Sequence, residues 1–223
     1  MSSSPFSRRS FLKTAAAAAV PFILPSGFLR GQNAPSNRLN VAVVGIGGQG
    51  RMDLRGVRNA GASIVAVCDV QSDRLAVNAK FAGLTAERLF ADYRVMFDKL
   101  GKDIDAAIVA TPDHAHFTVA LDAMQQGKHV YVQKPLCHSV DQVRRLAKAA
   151  IDTKVVTSMG NQGHSSSHIR MVREWFEAGL FGKISKIDAW DGQFKADPKR
   201  YAASAPTPAA LNWDLWLGPA QMR

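Results

Sequence analysis

The sequence predicts a doubly wound parallel α/β sheet followed by the beginning of a second α/β domain. Three observations carry that expectation. Short apolar runs alternate with amphipathic stretches at helical spacing from Leu39 to Thr157. The first run, Leu39-Asn40-Val41-Ala42-Val43-Val44, leads directly into Gly45-Ile46-Gly47-Gly48-Gln49-Gly50. The second, Ile64-Val65-Ala66-Val67-Cys68, ends on Asp69, 19 residues past the last of those glycines. Strands that alternate with helices form a parallel sheet covered on both faces. Right-handed crossovers then bring every strand-end motif to one edge of that sheet.

The remaining elements follow in order. Gln71 to Phe81 reads as a helix with Leu75, Ala79 and Phe81 apolar and Gly83 as its stop. Tyr93, Met96, Phe97 and Leu100 recur at helical spacing. Ile104 to Ala110 is a buried-type strand closed by Thr111-Pro112. Phe117, Ala120, Leu121 and Met124 make the inward stripe of a helix ending near Gly127. Val130-Tyr131-Val132 runs into Gln133-Lys134-Pro135. Ser139 with Gln142 forms a capping box for a helix with Val140, Val143, Leu146, Ala147 and Ala150 apolar. Val155-Val156-Thr157 is a further strand. Ser165 to Ala178 is a helix with Ile169, Val172, Trp175 and Phe176 inward, and Lys183 to Trp190 the first strand of a second domain.

Gly45 to Gly50 is a G-x-G-x-x-G turn between strand and helix, with an acid at the tip of the next strand. Each part has a physical task in binding a dinucleotide. Gly45 permits the tight turn, Gly47 lets backbone approach a pyrophosphate, and Gly50 lets helix and strand pack closely. Ile46, Gly48 and Gln49 complete the cofactor loop. The helix N-terminus offers unpaired N–H groups and a positive dipole end to phosphates. Asp69 would accept from the adenosine ribose hydroxyls and repel a 2′-phosphate, which favours NAD over NADP. Arg74 nearby is able to accommodate such a phosphate, so NADP stays open. An ordinary strand–turn–helix with a surface aspartate is the competing reading. Gly45–Gly50, Asp69, Thr111–His116 and Gln133–Pro135 all stand at carboxyl ends of strands, which points to one site.

The N-terminus carries an address. Ser7-Arg8-Arg9-Ser10-Phe11-Leu12-Lys13 is a paired-arginine signal, followed by an apolar stretch from Ala15 to Pro25. That stretch is shorter than the ~20 residues a membrane span needs. The expected division is a twin-arginine signal peptide over 1–34, a nucleotide-binding domain over 35–160 and the beginning of a substrate domain over 161–223. The twin-arginine machinery exports folded proteins, so the product is expected in the periplasm of a Gram-negative bacterium. A cofactor would be loaded before export and kept tightly bound. No membrane span is expected after signal removal.

The formal charge is +10. Arg8, Arg9, Lys13 and Arg30 account for four of those charges, leaving 24 basic against 18 acidic residues spread without blocks. A mixed, solvated surface follows, not a nucleic-acid face. Cys68 and Cys137 are the two cysteines, and Cys68 ends a buried strand, so packing is expected rather than a disulfide. His114 and His116 lack any matching Cys or acid cluster, and no metal site is expected.

Gly45–Gly50, Thr111-Pro112-Asp113-His114-Ala115-His116 and Gln133-Lys134-Pro135 together resemble the three signatures of the glucose–fructose oxidoreductase, inositol dehydrogenase and rhizopine-catabolism (Gfo/Idh/MocA) family. The resemblance covers roughly 38–223. The signal resembles the exported branch of that family, as do Met159–His164 and Asn212-Trp213-Asp214-Leu215-Trp216-Leu217-Gly218-Pro219. The resemblance implies a Rossmann domain joined to a C-terminal α/β domain with a large, mostly antiparallel sheet, acting on sugars or cyclitols with a bound nicotinamide cofactor. It implies that Lys134 positions nicotinamide and substrate hydroxyl and shares the acid–base work; burial beside a cationic ring is what tunes an amine to that task. Gln133 stands where the family has glutamate. Thr111, Pro112 and His116 would line the cofactor side of the cleft, His114 would face solvent, and His164 would line the substrate cleft or have no role.

One strand is not a stable sheet, and no D-x-x-x-H pair of the family's second domain follows Lys134. The chain is therefore expected to be mainly the nucleotide-binding part of a longer parent, inactive by itself, whose full-length form is a candidate homo-oligomer. Three readings stay open: an oxidoreductase of a sugar or cyclitol, an NAD-dependent glycosidase of the same fold, and a non-catalytic dinucleotide-binding fragment.

Overall fold

The computed structural model describes residues 38–190 and 206–220. The expected signal peptide and most of the proline- and alanine-rich stretch 198–211 lie outside the described residues. The chain divides after Arg38, and the sheet belongs to the unit Leu39–Arg223.

Six strands form one sheet: β1 (Asn40–Val44), β2 (Ser63–Cys68), β3 (Leu89–Phe90), β4 (Ala106–Val109), β5 (His129–Gln133) and β6 (Thr157–Gly160), in the order β3-β2-β1-β4-β5-β6. Every pairing is parallel. The order reverses at β1, so the crevice between the ends of β1 and β4 is the switch point at which such sheets take ligands. The expected doubly wound parallel sheet is therefore present.

Alternate residues of the strands feed two cores. Ala42, Val44, Ala66, Cys68, Ala107, Val109, Val130 and Val132 face α3 (Tyr93–Leu100), α4 (His116–Gln125) and α5 (Val140–Thr153), packing with Met96, Phe97, Phe117, Ala120 and Leu146. Val41, Val43, Val67 and Ile108 face α1 (Gly48–Asn59) and α2 (Ser72–Ala82), packing with Ile46, Leu54 and Leu75. Period-two side chains on a sheet buried on both faces produce this division. Each fully buried Val, Leu or Ile contributes about 1.5–3 kcal/mol. Arg55 and Arg58 lie over the Phe81 ring, 5.2 and 5.3 Å from its centre, and tie α1 to α2.

Local signals end the helices where the residue types require. Gly83 takes the left-handed conformation (φ 70°) after α2. Asp92 caps α3 by accepting from Arg94 N–H at 2.9 Å. Ser139 caps α5 by accepting from Gln142 N–H at 3.2 Å, but the Gln142 side chain reaches back to His138 N–H and not to that of Ser139. The capping box is thus shifted by one residue.

Several expectations fail at the periphery. Of the apolar positions named for α5, Leu146 is buried as expected, but Val140, Val143 and Ala147 are exposed, and Ala149 is buried as well. β6 begins at Thr157, with Val156 exposed ahead of it. In α6 (Ser167–Glu177), Ile169, Val172, Trp175 and Phe176 are all exposed rather than inward. Residues 183–190 pair with no strand among the described residues. The reason is common to all: an apolar stripe or a strand is buried by what lies opposite, and among the described residues nothing covers these faces.

Candidate functional site

The glycine loop sits at the carboxyl end of β1. Gly45 has φ 82°, and a Cβ there would stand 2.5 Å from Ala110 O. A Cβ on Gly50 would stand 1.9 Å from Gly45 O. These two glycines let β1, α1 and the β4 end pack together, the tasks expected of a turn and a helix–strand contact. Gly47 precedes α1, and Gly48 opens it. No side chain caps that helix and its first turn carries no acid, so the positive dipole end is intact; Gly50 N–H donates to Gly47 O at 2.9 Å, which leaves the amides of Gly47, Gly48 and Gln49 for a ligand. Ile46 is an exception among the loop residues: its side chain is fully buried in the core, and only its backbone serves the site.

Asp69 stands at the end of β2 and is 6% exposed. Its carboxylate accepts from Ile46 N–H and from Gln71 N–H, each at 2.9 Å, one on each oxygen. It therefore ties the glycine loop to the β2–α2 turn as well as facing the cavity. Arg74, in the first turn of α2, lays its guanidinium against Gly47, where a Cβ would come within 2.5 Å of Nη1.

At the end of β4, Thr111 and Pro112 line the same cavity. His116 does not. It is 1% exposed, with Nδ1 2.6 Å from Pro135 O and Nε2 2.8 Å from Thr111 O. Its place in the first turn of α4, beneath the sheet edge, makes it a clasp between the Thr111 and Pro135 turns and not a cofactor-lining group. His114, expected in solvent, is packed against Trp216 instead.

Lys134 follows β5, and its ammonium makes no ion pair or hydrogen bond among the described residues. It is exposed, not buried, and lies outside the cavity, because nothing described packs over the end of β5 on that side. His164, in a one-turn 3-10 helix over Gly163–Ser165, is likewise exposed and outside it. The Gln133 amide is the well-held group here. It is 4% exposed, donates to Asp53 Oδ2 at 2.7 Å and accepts from Gln162 at 3.0 Å. Asp53 also accepts from Gln49 at 2.9 Å. A side-chain chain Gln49–Asp53–Gln133–Gln162 thus joins the glycine loop to the ends of β5 and β6.

A glutamate at 133 would set its carboxylate against that of Asp53. Gln133→Glu is accordingly expected to destabilise the unit by roughly 1–3 kcal/mol at neutral pH, the cost of a buried polar group facing a like one. The loss should shrink as pH falls and one of the two carboxylates protonates. Thermal melts from pH 7 down to pH 4 read this directly; a pH-independent loss would remove the charge argument.

The cavity at the switch point has a volume of about 530 Å³. Gly45, Gly47, Asp69, Arg74, Thr111 and Pro112 form one side, and Asp214, Leu215, Trp216 and Pro219 another. Residues here fit a dinucleotide. Thr111 Oγ1 is buried with no hydrogen-bond partner, in a cavity whose floor is an uncapped helix start and a carboxylate. Asp92 and Arg94, also lining it, form a tight pair at 2.7 Å, and the Arg94 guanidinium holds the Asp92 carboxyl below its ordinary pKa. Tyr93 donates to Asp122 at 2.8 Å. Burial, then that carboxylate, raises its phenol pKa well above the ordinary value, so Tyr93 is no acid–base candidate near neutrality. Burial likewise raises the Cys68 thiol far above its usual range, as expected of a packing cysteine; neither Cys68 nor Cys137 is in a disulfide. Among the described residues there is no cluster of three metal-ligating side chains, and no helix is long and apolar enough to cross a membrane.

Sequence reading missed Asp53 and Gln162, whose roles rest on contacts across 80 and 29 residues. It also missed that residues 214–219 wall the cavity. Trp213 to Pro219 stood out as a motif, but no local pattern says where such a segment docks.

Known proteins agree with this geometry. A model described as "Oxidoreductase family, NAD-binding Rossmann fold" matches residues 39–161, and a twin-arginine translocation signal model matches residues 5–21. Such a signal directs export across the cytoplasmic membrane. The chain is 30% identical over 169 residues to an inositol 2-dehydrogenase of Rubrobacter xylanophilus, covering 73% of this chain and 46% of that protein. It is 30% identical over 207 residues to a glycosyl hydrolase family 109 protein of Saccharopolyspora erythraea, covering 82% and 45%. The chain therefore spans about half the length of these relatives. Among solved structures, myo-inositol 2-dehydrogenase from Lactobacillus plantarum aligns with a TM-score of 0.60 at 25% identity, over 66% of this chain and 43% of that one. An inositol dehydrogenase homolog from Azotobacter vinelandii, complexed with NADH and myo-inositol, aligns at 0.58 and 26% identity, over 66% and 41%. By the strand order, the glycine loop and these matches, the chain belongs to the Gfo/Idh/MocA oxidoreductase family with its NAD-binding Rossmann fold.

Proposed function

We propose that this chain is mainly the nucleotide-binding part of an exported, periplasmic NAD-dependent oxidoreductase acting on a hydroxyl of a sugar or cyclitol, with the nicotinamide cofactor held tightly. One observation carries the reading. The uncapped start of α1, the Asp69 carboxylate and the unpartnered Thr111 hydroxyl converge on one cavity at the switch point of the sheet.

The residues divide the work by their chemistry. The N–H groups of Gly47, Gly48 and Gln49 bind a pyrophosphate, with the Arg74 guanidinium beside them. Asp69 orients ribose hydroxyls. Once Arg94 is paired with Asp92, the described lining offers Asp69 and Asp214 against one further cation, Arg74, which favours NAD over a ligand with a 2′-phosphate. A bound nicotinamide would supply the hydride acceptor. Lys134, as the neutral amine, would receive at Nζ the proton that leaves the substrate hydroxyl. Burial beside the cationic nicotinamide ring is what would keep that amine neutral.

The test begins with binding. Thr111→Val keeps the shape of the side chain and removes a hydroxyl that has no partner in the protein. It is expected to leave the melting temperature unchanged or raised while weakening NAD about three- to tenfold, one hydrogen bond's worth. Unchanged affinity by calorimetry would take Thr111 out of the site. Tight retention has its own check: fast loss of cofactor on dialysis of protein purified from the periplasm would refute it.

The glycosyl hydrolase relative, matched over 82% of this chain, supports a second reading as an NAD-dependent glycosidase. Nitrophenol release from a nitrophenyl glycoside without net nicotinamide reduction would select it. Nicotinamide reduction by a free sugar or cyclitol would select the first.

A further inference from the structure

Residues 210–219 form a strap across the open side of the cavity. Its course is set by few contacts. Ser72 N–H donates to Ala210 O and Asn212 N–H to Val70 O, both at 2.9 Å, around an antiparallel bridge between Gln71 and Leu211. Asn212 then caps a short helix, α7 (Trp213–Leu217), by accepting from Leu215 N–H at 3.1 Å. At its far end the Trp216 carbonyl lies 2.7 Å from His114 Nε2. The Trp216 ring meets His114 edge-on at 5.1 Å, and Trp213 stacks on Trp216 at 5.0 Å with 15° between the planes.

The two anchor points are informative. One is the β2–α2 turn immediately after Asp69; the other is the turn after β4 that carries Thr111 and Pro112. The strap's hydrogen bonds go to these turns and to none of Gly45–Gly50 or Lys134. Val70, Pro112, Leu215 and Trp216 give the cavity apolar lining between the anchors, and Asp69 and Asp214 line it too. A flat, neutral heterocycle joined to a sugar diol matches that lining, the rings against apolar surface and the hydroxyls toward a carboxylate.

We propose that the strap is the outer wall of the adenosine subsite, and that the His114–Trp216 contact is the latch that holds it there. The proposal rests on the reading of the cavity as a dinucleotide site. Trp216 lines the adenine pocket, and His114 is a positioning residue that acts through it. The strap sets affinity for the adenosine half of the cofactor and leaves the nicotinamide half untouched.

The full chain is titrated calorimetrically with NAD, ADP-ribose and nicotinamide mononucleotide, as wild type and as Trp216→Ala, Trp216→Phe and His114→Ala. NAD and ADP-ribose are expected to weaken by a common factor in Trp216→Ala, roughly five- to a hundredfold, the range that a base–aromatic contact spans. His114→Ala should weaken both in the same proportion to each other, and Trp216→Phe should recover most of the loss. Nicotinamide mononucleotide should respond equally weakly throughout. Tryptophan fluorescence quenched by NADH gives a second readout, which falls in Trp216→Phe even where affinity is kept. Circular dichroism of the ligand-free variants separates loss of the strap from loss of the fold. NAD and ADP-ribose affinities within twofold of wild type in both alanine variants would overturn the proposal with the dinucleotide reading intact. A wild-type chain that binds neither ligand would bring down both.

Discussion

Gly50→Ala is expected to cost the nucleotide-binding unit at least ~3 kcal/mol, the upper end for overpacking, and to abolish NAD binding with it. The added Cβ would lie 1.9 Å from Gly45 O and 2.8 Å from Gly45 C. Those atoms are backbone and have nowhere to go, because Gly45 is itself wedged against Ala110 and fixed at φ 82°. Either α1 moves away from β1 or the loop unwinds, and both remove the N–H groups from the crevice. Gly48→Ala is the matched control. Nothing lies within 4 Å of its Cβ position, and its φ of 45° leaves only the cost of a left-handed alanine, about 1–2 kcal/mol. Urea unfolding followed by circular dichroism compares the two. Equal costs would mean that the close contact of loop and helix is not what the third glycine serves. Against a total domain stability of about 5–15 kcal/mol, the difference is large enough to read without ambiguity.

Asp69→Ala should damage stability and affinity together. The carboxylate is buried and satisfies two backbone donors, Ile46 N–H and Gln71 N–H. Hydrogen bonds to a charged acceptor are worth about 1.5–3 kcal/mol each, and removing the acceptor strands both amides. A loss near ~3 kcal/mol or more is expected in thermal or urea unfolding, beside the loss of the ribose acceptor. Asp69→Asn separates the two roles. Its carbonyl oxygen serves one amide, while its NH₂ is forced against the other donor, so stability should fall by less. Affinity for NAD should still drop, since one acceptor is missing. A fully stable Asp69→Ala variant would show that the loop does not depend on this carboxylate. A stable variant with unchanged NAD affinity would also remove Asp69 from the cofactor site.

The strand–helix order and the glycine loop were legible because they rest on local patterns. β-branched runs, a period of two or of 3.6, and glycines at a turn are written within a few residues. Asp69 was legible for the same reason, as the residue that ends β2. What its carboxylate does in the folded chain was not, since Ile46 N–H reaches it from 23 residues away. His116 illustrates the limit from the other side. Its motif marked it for the cofactor edge, yet packing of α4 turned the ring inward, where both nitrogens meet carbonyl oxygens. Lys134 follows β5 at the expected edge of the sheet, and its expected burial is beside a bound nicotinamide ring. Burial depends on what stands over a side chain, and no periodicity in its own segment contains that information.

The sequence by itself determined the parallel sheet, the place of the crevice and the twin-arginine address, because each follows from short-range residue order. Tertiary structure decided three further matters: the Gln49–Asp53–Gln133–Gln162 chain, the His116 clasp and the strap of residues 210–219. Those rest on contacts between segments far apart in the chain. Their geometry is set by how helices settle on a twisted sheet, and a hydrogen bond between distant side chains leaves no pattern in either segment alone.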